Sequence, residues 1–171
     1  DATFRLASER VAEAMPAAAQ LLKLCAFLAR DPIPLDLLAA NPRTVPLPLR
    51  KAARNEIVRN ETVGALIRYS LVERDQAGIS LHRLVQAVIR NTLKLHERRR
   101  WARLAVRLVA AGFPDRSDDL FAWRRCQLLL PHALAAARWS KELGIENETA
   151  AALLDRIALY LWARADLEQA R

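Results

Sequence analysis

Glycine is scarce in this sequence, which has four glycines among its 171 residues. A full dinucleotide-binding fingerprint needs several closely spaced glycines and a phosphate loop needs a glycine-rich turn, but neither motif is present. A His-Glu-x-x-His motif is also absent, and no Ser, Cys or Thr lies in a recognisable nucleophile motif. These absences predict a chain that is not itself an enzyme and that has neither catalytic nor metal-binding residues.

Cysteines and long apolar runs are also few. Cys25 and Cys126 lie far apart in apolar segments, which is typical of buried thiols in a reducing cytoplasm. Charged residues interrupt every apolar run well before the ~20 residues that a membrane helix needs, so we expect no membrane partner. The chain begins at Asp1 without an initiator Met or a signal peptide and stops inside an amphipathic pattern. We therefore expect a cytoplasmic fragment of a longer protein.

Positive charge is plentiful and unevenly placed. The net charge is +8, and residues 1–114 hold 19 Lys or Arg against 10 Asp or Glu, whereas residues 115–171 hold 8 against 9. One basic patch would suit nucleic acid or an acidic partner, and the alternative is a solvated helix face. This patch comprises Arg98, Arg99, Arg100, Arg103 and Arg107.

Apolar residues recur mainly at helical spacing, as in residues 21–28. Three prolines between residues 42 and 48 predict a loop there. Residues 71–81 instead alternate apolar and polar side chains around a turn that contains Gly78, which predicts a β-hairpin. The other predicted elements are helices over residues 3–15, 16–30, 35–40, 55–69, 96–111, 118–126, 127–143 and 147–164. A further helix is predicted to begin at Leu81, and the start of another is predicted at Asp166.

The order of three helices, a small hairpin and a further helix is that of a winged-helix domain, in which the hairpin is the wing. The expected fold is therefore mainly α, with one small β-hairpin. Amphipathic spacing also predicts which residues of the helices are buried. They are Val63, Leu66 and Ile67 before the hairpin, then Leu81, Leu84, Val85, Val88 and Ile89, and then Trp101, Leu104, Ala105, Leu108 and Val109.

His82 lies where the hairpin ends and the next helix begins. Because the first turn of a helix exposes unpaired N–H groups and the positive end of its dipole, this position suits a phosphate group. A neutral imidazole can donate one hydrogen bond to such a group, and Arg83 would add positive charge. The alternative is that His82 only caps the helix or packs at the junction.

Winged-helix domains often bind DNA through their third helix, which here is the helix before the hairpin. This helix carries Arg59, Asn60 and Arg68. It also carries Glu56 and Glu61, which weaken it as a surface for contacting phosphates. DNA binding is therefore an alternative rather than the leading interpretation.

The residues around the hairpin resemble a known family. Residues 66–75 read LIRYSLVERD and residues 79–90 read ISLHRLVQAVIR. They look like the winged-helix domain of NB-ARC signalling ATPases of the STAND class, specifically bacterial members whose NTPase core precedes tetratricopeptide repeats (TPRs). Residues 21–35 are similar to the start of that domain and residues 128–137 to its linking helices. Residues that resemble a truncated first TPR are Ile157, Ala158, Leu161, Ala165, Leu167 and Ala170.

In that family a Met-His-Asp motif opens the helix after the wing, and its histidine contacts the β-phosphate of bound ADP in the resting state. Leu81, His82 and Arg83 stand at that motif here. The resemblance therefore implies that His82, with Arg83, senses nucleotide in the full-length protein, although Arg83 replaces the family's Asp. It also implies ADP or ATP with Mg²⁺ in an upstream NTPase domain and no cofactor in this chain.

The resemblance divides the chain into a winged-helix domain with a preceding helix at residues 1–95, a helical linker bundle at residues 96–145 and a truncated TPR-like repeat at residues 146–171. It implies a regulatory relay between the upstream NTPase domain and downstream TPRs of the same chain, with self-association on activation. Two alternatives stay open. One is the winged-helix DNA-binding module of a transcription regulator, and the other is a helical scaffold for protein–protein interaction.

Overall fold

The computed structural model describes residues 2–145 and 148–169. Within them the chain has nine α-helices and one two-stranded antiparallel sheet, so the predicted mainly α fold with one small hairpin is confirmed. Short 3-10 turns at Pro42–Thr44 and Leu120–Ala122 join some of the helices. The elements are α1 (Ala2–Ala14), α2 (Pro16–Cys25), α3 (Asp36–Ala40), α4 (Leu47–Arg54), α5 (Glu56–Arg68), β1 (Glu73–Arg74), β2 (Ile79–Ser80), α6 (Arg83–Thr92), α7 (Leu95–Gly112), α8 (Trp123–Glu142) and α9 (Glu148–Gln169).

Helix α2 lies at the centre of the fold. Pro16 occupies its first turn, where a helix needs no backbone N–H, and Leu21, Leu22 and Leu24 are at most 1% exposed. Helices α1, α4, α5, α6 and α7 all pack on α2. Burial of one leucine side chain stabilises the fold by about 2 kcal/mol. The buried leucines of α2 therefore hold the surrounding helices against it. The helix ends at Cys25, earlier than predicted, and the chain continues in buried turns.

The predicted hairpin is present, with β1 antiparallel to β2. In its turn, Asp75 accepts hydrogen bonds from the N–H groups of Ala77 and Gly78 at 2.8 and 2.9 Å. Gly78 has a φ of 154°, and a Cβ there would lie 2.1 Å from the carbonyl oxygen of Ile33, so the position requires glycine. Ile33 also exchanges two backbone hydrogen bonds with Ile79. This bridge, which was not predicted, attaches the hairpin to the segment after α2.

The segment before α5 differs from the predicted loop. Residues 42–48 contain a 3-10 turn and the first residues of α4. Pro46 is the N-cap of α4 and Pro48 lies in its first turn, where no intrahelical N–H bond is lost. Leu49 of α4 is buried, and α4 packs on α2 and α5. Four helices, rather than three, therefore lie between α1 and the hairpin.

The C-terminal helices are longer than predicted. The division into helices over residues 118–126 and 127–143 is wrong, because a 3-10 turn leads into the single helix α8, which contains Pro131. The break predicted at Asp166 is also wrong, since α9 continues to Gln169. Helices α7, α8 and α9 bury apolar faces against one another. This tertiary packing offsets the ~3 kcal/mol that an interior proline costs a helix.

The predicted buried faces are mostly correct. Leu104 on α7 and Val88 on α6 are half-buried, and two other predicted core residues are exposed. Ile67 is 41% exposed and Leu84 is 51% exposed. The buried residues of α6 are Val85, Gln86 and Ile89, because this side of the helix faces α1 and α2. The polar Gln86 therefore takes a core position that the amphipathic pattern assigned to its neighbours.

The three predicted segments share one core. Helix α7 begins at Leu95, the last residue of the first predicted segment, and packs on α2 and α3 as well as on α8 and α9. The buried apolar side chains form a single cluster. Residue 146, the last predicted boundary, and Ala170 of the predicted repeat lie outside the described residues. The domain boundaries themselves stay predictions.

Candidate functional site

His82 is the N-cap residue of α6. Its backbone has the extended conformation of a helix cap, with φ −62° and ψ 140°, and its Nδ1 accepts the N–H of Leu84 at 3.3 Å. The capping role predicted as one alternative is therefore present. Because Nδ1 accepts this hydrogen bond, the neutral ring carries its proton on Nε2. The side chain is exposed, so this Nε2–H is available to donate to a ligand.

The residues on either side of His82 fix its position. Leu81 is 1% exposed and Val85 is 1% exposed, so both ends of the junction are anchored in the core. The hairpin is in turn held by the Ile33–Ile79 bridge. The capping histidine therefore lies at a corner that buried residues anchor on both sides.

His82 borders an open cleft of about 480 Å³. Arg30, from the segment after α2, and Arg83, the first residue of α6, contribute positive charge, and Glu73 of β1 contributes one negative charge. An exposed imidazole in a cleft that two arginines also line suits an anion. We call this surface the junction cleft, and its lining residues are Arg30, Glu73, Ser80, Leu81, His82 and Arg83.

Arg30 is the basic residue of the junction cleft that the sequence did not predict, and Glu73 and Ser80 were not predicted there either. It precedes an Asp-Pro pair and belongs to no motif. It is distant from Leu81 and His82 along the chain and adjoins them only in the folded structure. No local pattern could have identified it, because the Ile33–Ile79 bridge is what brings its segment to the hairpin.

Two buried polar side chains hold the segment that carries Arg30. The side-chain amide of Gln86 donates to the carbonyl oxygens of Cys25 and Leu28, both at 3.2 Å. His132 of α8 is fully buried, and its Nε2 donates to the carbonyl oxygen of Pro32 at 3.1 Å. Burial lowers the pKa of His132, and the Pro32 contact and a nearby aspartate oppose that shift only in part. His132 is therefore a structural, neutral histidine.

The predicted basic patch is divided by the fold. Arg98 donates to the carbonyl oxygen of Leu93 and Arg99 to that of Leu143, both at 3.0 Å, so Arg98 joins α7 to the end of α6 and Arg99 joins α7 to the end of α8. The guanidinium of the next arginine in the patch, Arg100, lies 5.9 Å from the centroid of the adjacent Trp101 ring. The remaining members, Arg103 and Arg107, are exposed.

The helix considered for DNA binding, α5, uses two of its three candidate residues internally. Arg59 donates to two carbonyl oxygens of α4 at 3.3 and 3.4 Å. Asn60 accepts a hydrogen bond from Arg74 of the hairpin at 3.1 Å. Both side chains therefore join α5 to its neighbours, while Arg68 is exposed.

Cys25 and Cys126 are both buried and unpaired, as predicted for two thiols in apolar segments. Burial raises the pKa of Cys25 to about 12 and also raises that of Cys126. Both groups are therefore protonated, unreactive thiols at neutral pH.

Membrane-spanning and metal-binding features are absent from residues 2–145 and 148–169. No helix in these ranges combines the length and the apolar character required to cross a bilayer. Among the same residues, no group of three or more His, Cys, Asp or Glu side chains could hold a metal ion.

The protein is mainly helical, and its junction cleft, next to the hairpin, is lined by two arginines, a histidine and one glutamate. Residues 10–98 match the family described as "Domain of unknown function (DUF7779)". This match covers just over half of the chain, which therefore belongs to that family. It includes α2 to α6, the hairpin, His82 and Arg83. No curated protein and no solved structure matches the chain.

Proposed function

We propose that this chain is a regulatory, non-catalytic segment of a bacterial STAND-type NTPase, in which it relays the nucleotide state of an upstream NTPase core to downstream repeats. The observation that carries the proposal is the geometry of His82. Its Nδ1 is occupied by the helix cap, and its Nε2–H is exposed beside Arg30 and Arg83. This arrangement suits one hydrogen bond to a phosphate oxygen.

A winged-helix interpretation of residues 1–95 belongs to the same proposal. Helices packed around α2 precede a short hairpin, and α6 follows it directly. In this interpretation the hairpin is the wing, and α4 is an additional short helix before α5. The resemblance around His82 supports this assignment.

The relay requires ADP, or ATP with Mg²⁺, in the upstream core, which supplies the phosphate groups. His82 would donate its Nε2–H to the β-phosphate, and Arg83 would add positive charge beside it. One hydrogen bond to a charged group contributes ~1.5–3 kcal/mol, which is far below the ~8 kcal/mol of micromolar binding. It is sufficient, however, to shift a two-state equilibrium by about tenfold or more. His82 therefore acts as a sensor rather than as the principal nucleotide-binding residue.

Exposed apolar residues on α9 support downstream repeats as the second partner. Leu154, Leu161 and Trp162 are 48%, 42% and 67% exposed and lie at helical spacing. In a helical repeat array each repeat covers an apolar face of its neighbour. A following TPR would cover this face. On activation, copies of the full-length protein in the open state would associate with one another. The proposed location is the cytoplasm.

The alternative functions receive less support. For DNA binding, the internal contacts of Arg59 and Asn60 leave few side chains of α5 to read a groove. A helical scaffold without a nucleotide role would not need an exposed histidine donor at this corner. A low-salt gel-shift titration with duplex DNA tests the first alternative, which requires salt-dependent binding at micromolar protein.

The decisive experiment substitutes His82→Ala in the full-length protein. We expect faster loss of bound ADP and a larger fraction of the open, self-associated form, measured by nucleotide retention and by size-exclusion chromatography. His96→Ala is the matched control, because His96 is also exposed and lies outside the junction cleft. If nucleotide retention and self-association are both unchanged in His82→Ala, the sensor role is wrong.

A further inference from the structure

A second cleft, of about 540 Å³, adjoins the junction cleft. It lies between one face of α6, one face of α8 and the segment that follows α2. Arg30 and Arg83 line both clefts, so the two form a continuous surface. We call the second one the arginine cleft, after Arg30, Arg83, Arg90 and Arg138, which line it.

The arginine cleft is strongly positive. Its four arginines come from three separate segments, and Asp31 is the one acid among the described residues that line it. Glu142 lies 3.6 Å from Arg138, but both side chains are largely exposed, and such a pair contributes little. The cleft therefore keeps a positive excess toward any ligand that enters it.

Arg90 is the most constrained of the four arginines. It is half-buried and donates to the carbonyl oxygen of Ala26. Its guanidinium lies 4.7 Å from the Trp139 ring centroid, and that of Arg138 lies 5.0 Å from the same centroid. Burial, and next the Arg138 charge, lower the pKa of Arg90. Two like charges held near one ring repel, and an anion bound in the cleft would offset that repulsion.

The walls of the cleft are fixed before a ligand arrives. Gln86 joins α6 to the end of α2, and His132 joins α8 to Pro32. These contacts hold the segment that carries Arg30 against both helices. Preorganised donors reduce the ordering cost of binding, so a small anion needs few contacts to bind measurably.

We propose that the arginine cleft binds an oligophosphate group, as an anion site that shares Arg30 and Arg83 with the junction cleft but does not require His82. Planar guanidinium groups bind phosphate oxygens through paired hydrogen bonds. The volume is that of a small-ligand pocket rather than of a surface for a folded partner. The group can belong to a nucleotide or to a free oligophosphate, since both present the same oxygens.

The test titrates inorganic tripolyphosphate and, separately, ATP into the 171-residue chain at low salt. We expect tripolyphosphate to bind with a Kd below about 1 mM, and more weakly as salt is added. In ¹H–¹⁵N spectra the indole resonance of Trp139 should shift, and that of Trp101 should not. Similar affinities for both ligands would show that the oligophosphate group alone is sufficient for binding. ATP binding that is at least about tenfold tighter would show that the ligand is a nucleotide. Either result supports the site.

Charge reversal locates the binding. Arg138→Glu, at a residue that lines only the arginine cleft, should weaken tripolyphosphate binding by about tenfold or more, and Arg83→Glu, at a residue shared with the junction cleft, should do the same. Arg103→Glu and Arg107→Glu make the same change in net charge on the exposed surface of α7 and should have less than about a threefold effect. If circular dichroism shows that Arg138→Glu is unfolded, Arg138→Gln, which removes the charge without reversing it, replaces it. The proposal is overturned if tripolyphosphate shows no saturable binding, or if the α7 controls lose as much affinity as the cleft variants. It is also overturned if the chain binds an acidic peptide but not tripolyphosphate.

Discussion

The histidine at the hairpin–α6 junction and the histidine in the middle of α8 use their ring nitrogens in opposite ways. His82 is exposed, with Nδ1 accepting a backbone N–H and Nε2–H available to a ligand. His132 is fully buried, with Nε2 donating to Pro32 and Nδ1 without a partner among the described residues. The exposed histidine therefore keeps a ring N–H for solvent or a ligand, whereas the buried one uses its ring N–H to hold α8 against Pro32.

The largest expected effect is that of His132→Ala. The substitution removes a buried ring and leaves the carbonyl of Pro32 without its donor, so it should lower the free energy of unfolding by about 2–4 kcal/mol. Urea denaturation measures this value. His96→Ala, at an exposed position, should change it by less than about 0.5 kcal/mol. A loss below about 1 kcal/mol in His132→Ala would contradict the structural role.

Two glycines should respond in opposite directions to alanine. Gly78→Ala places a Cβ against the carbonyl of Ile33 at a positive φ and should destabilise the fold by about 2 kcal/mol. Gly64→Ala lies inside α5, where a Cβ meets nothing within 4 Å, and should stabilise it by about 0.5–1 kcal/mol. Thermal denaturation of both variants checks the signs. A neutral Gly78→Ala would show that the hairpin does not depend on its contact with Ile33.

The pH dependence of stability should reflect His132. Burial lowers its folded-state pKa below the ordinary value of 6.5, so the unfolded chain takes up a proton first as the pH falls. Its neutral form therefore contributes stability above pH about 6.5, and that stability declines at lower pH, by at most about 1.4 kcal/mol per pH unit. Urea denaturation from pH about 7.5 to about 5.5 measures the slope. If the free energy of unfolding of His132→Ala has the same slope against pH, the pH dependence comes from other titratable groups.

The smallest expected effect on stability is that of His82→Ala. Loss of its cap bond should cost about 0.5–1 kcal/mol, and His82→Ser, whose hydroxyl can accept the same N–H, should cost less. In the full-length protein, both variants should lose ADP equally, because serine restores the cap and not the imidazole donor. Normal ADP retention in His82→Ser would instead mean that the cap alone matters.

The sequence predicted local features well. Alternating side chains around Gly78 identified the hairpin, and helical spacing identified the buried stripe of α7. It failed where tertiary packing outweighs a local signal. Pro46 and Pro48 start α4, and Pro131 stays inside α8, because neighbouring helices bury the apolar faces of both helices.

By itself, the sequence determined the mainly helical class, the hairpin and the position of His82 at the start of a helix, since each follows from interactions between residues close in the chain. Only the tertiary structure decided which charged groups come together. Arg30 reaches the junction through the Ile33–Ile79 bridge, and Arg90 meets Arg138 beside Trp139. Those contacts join distant segments, and no local periodicity encodes them.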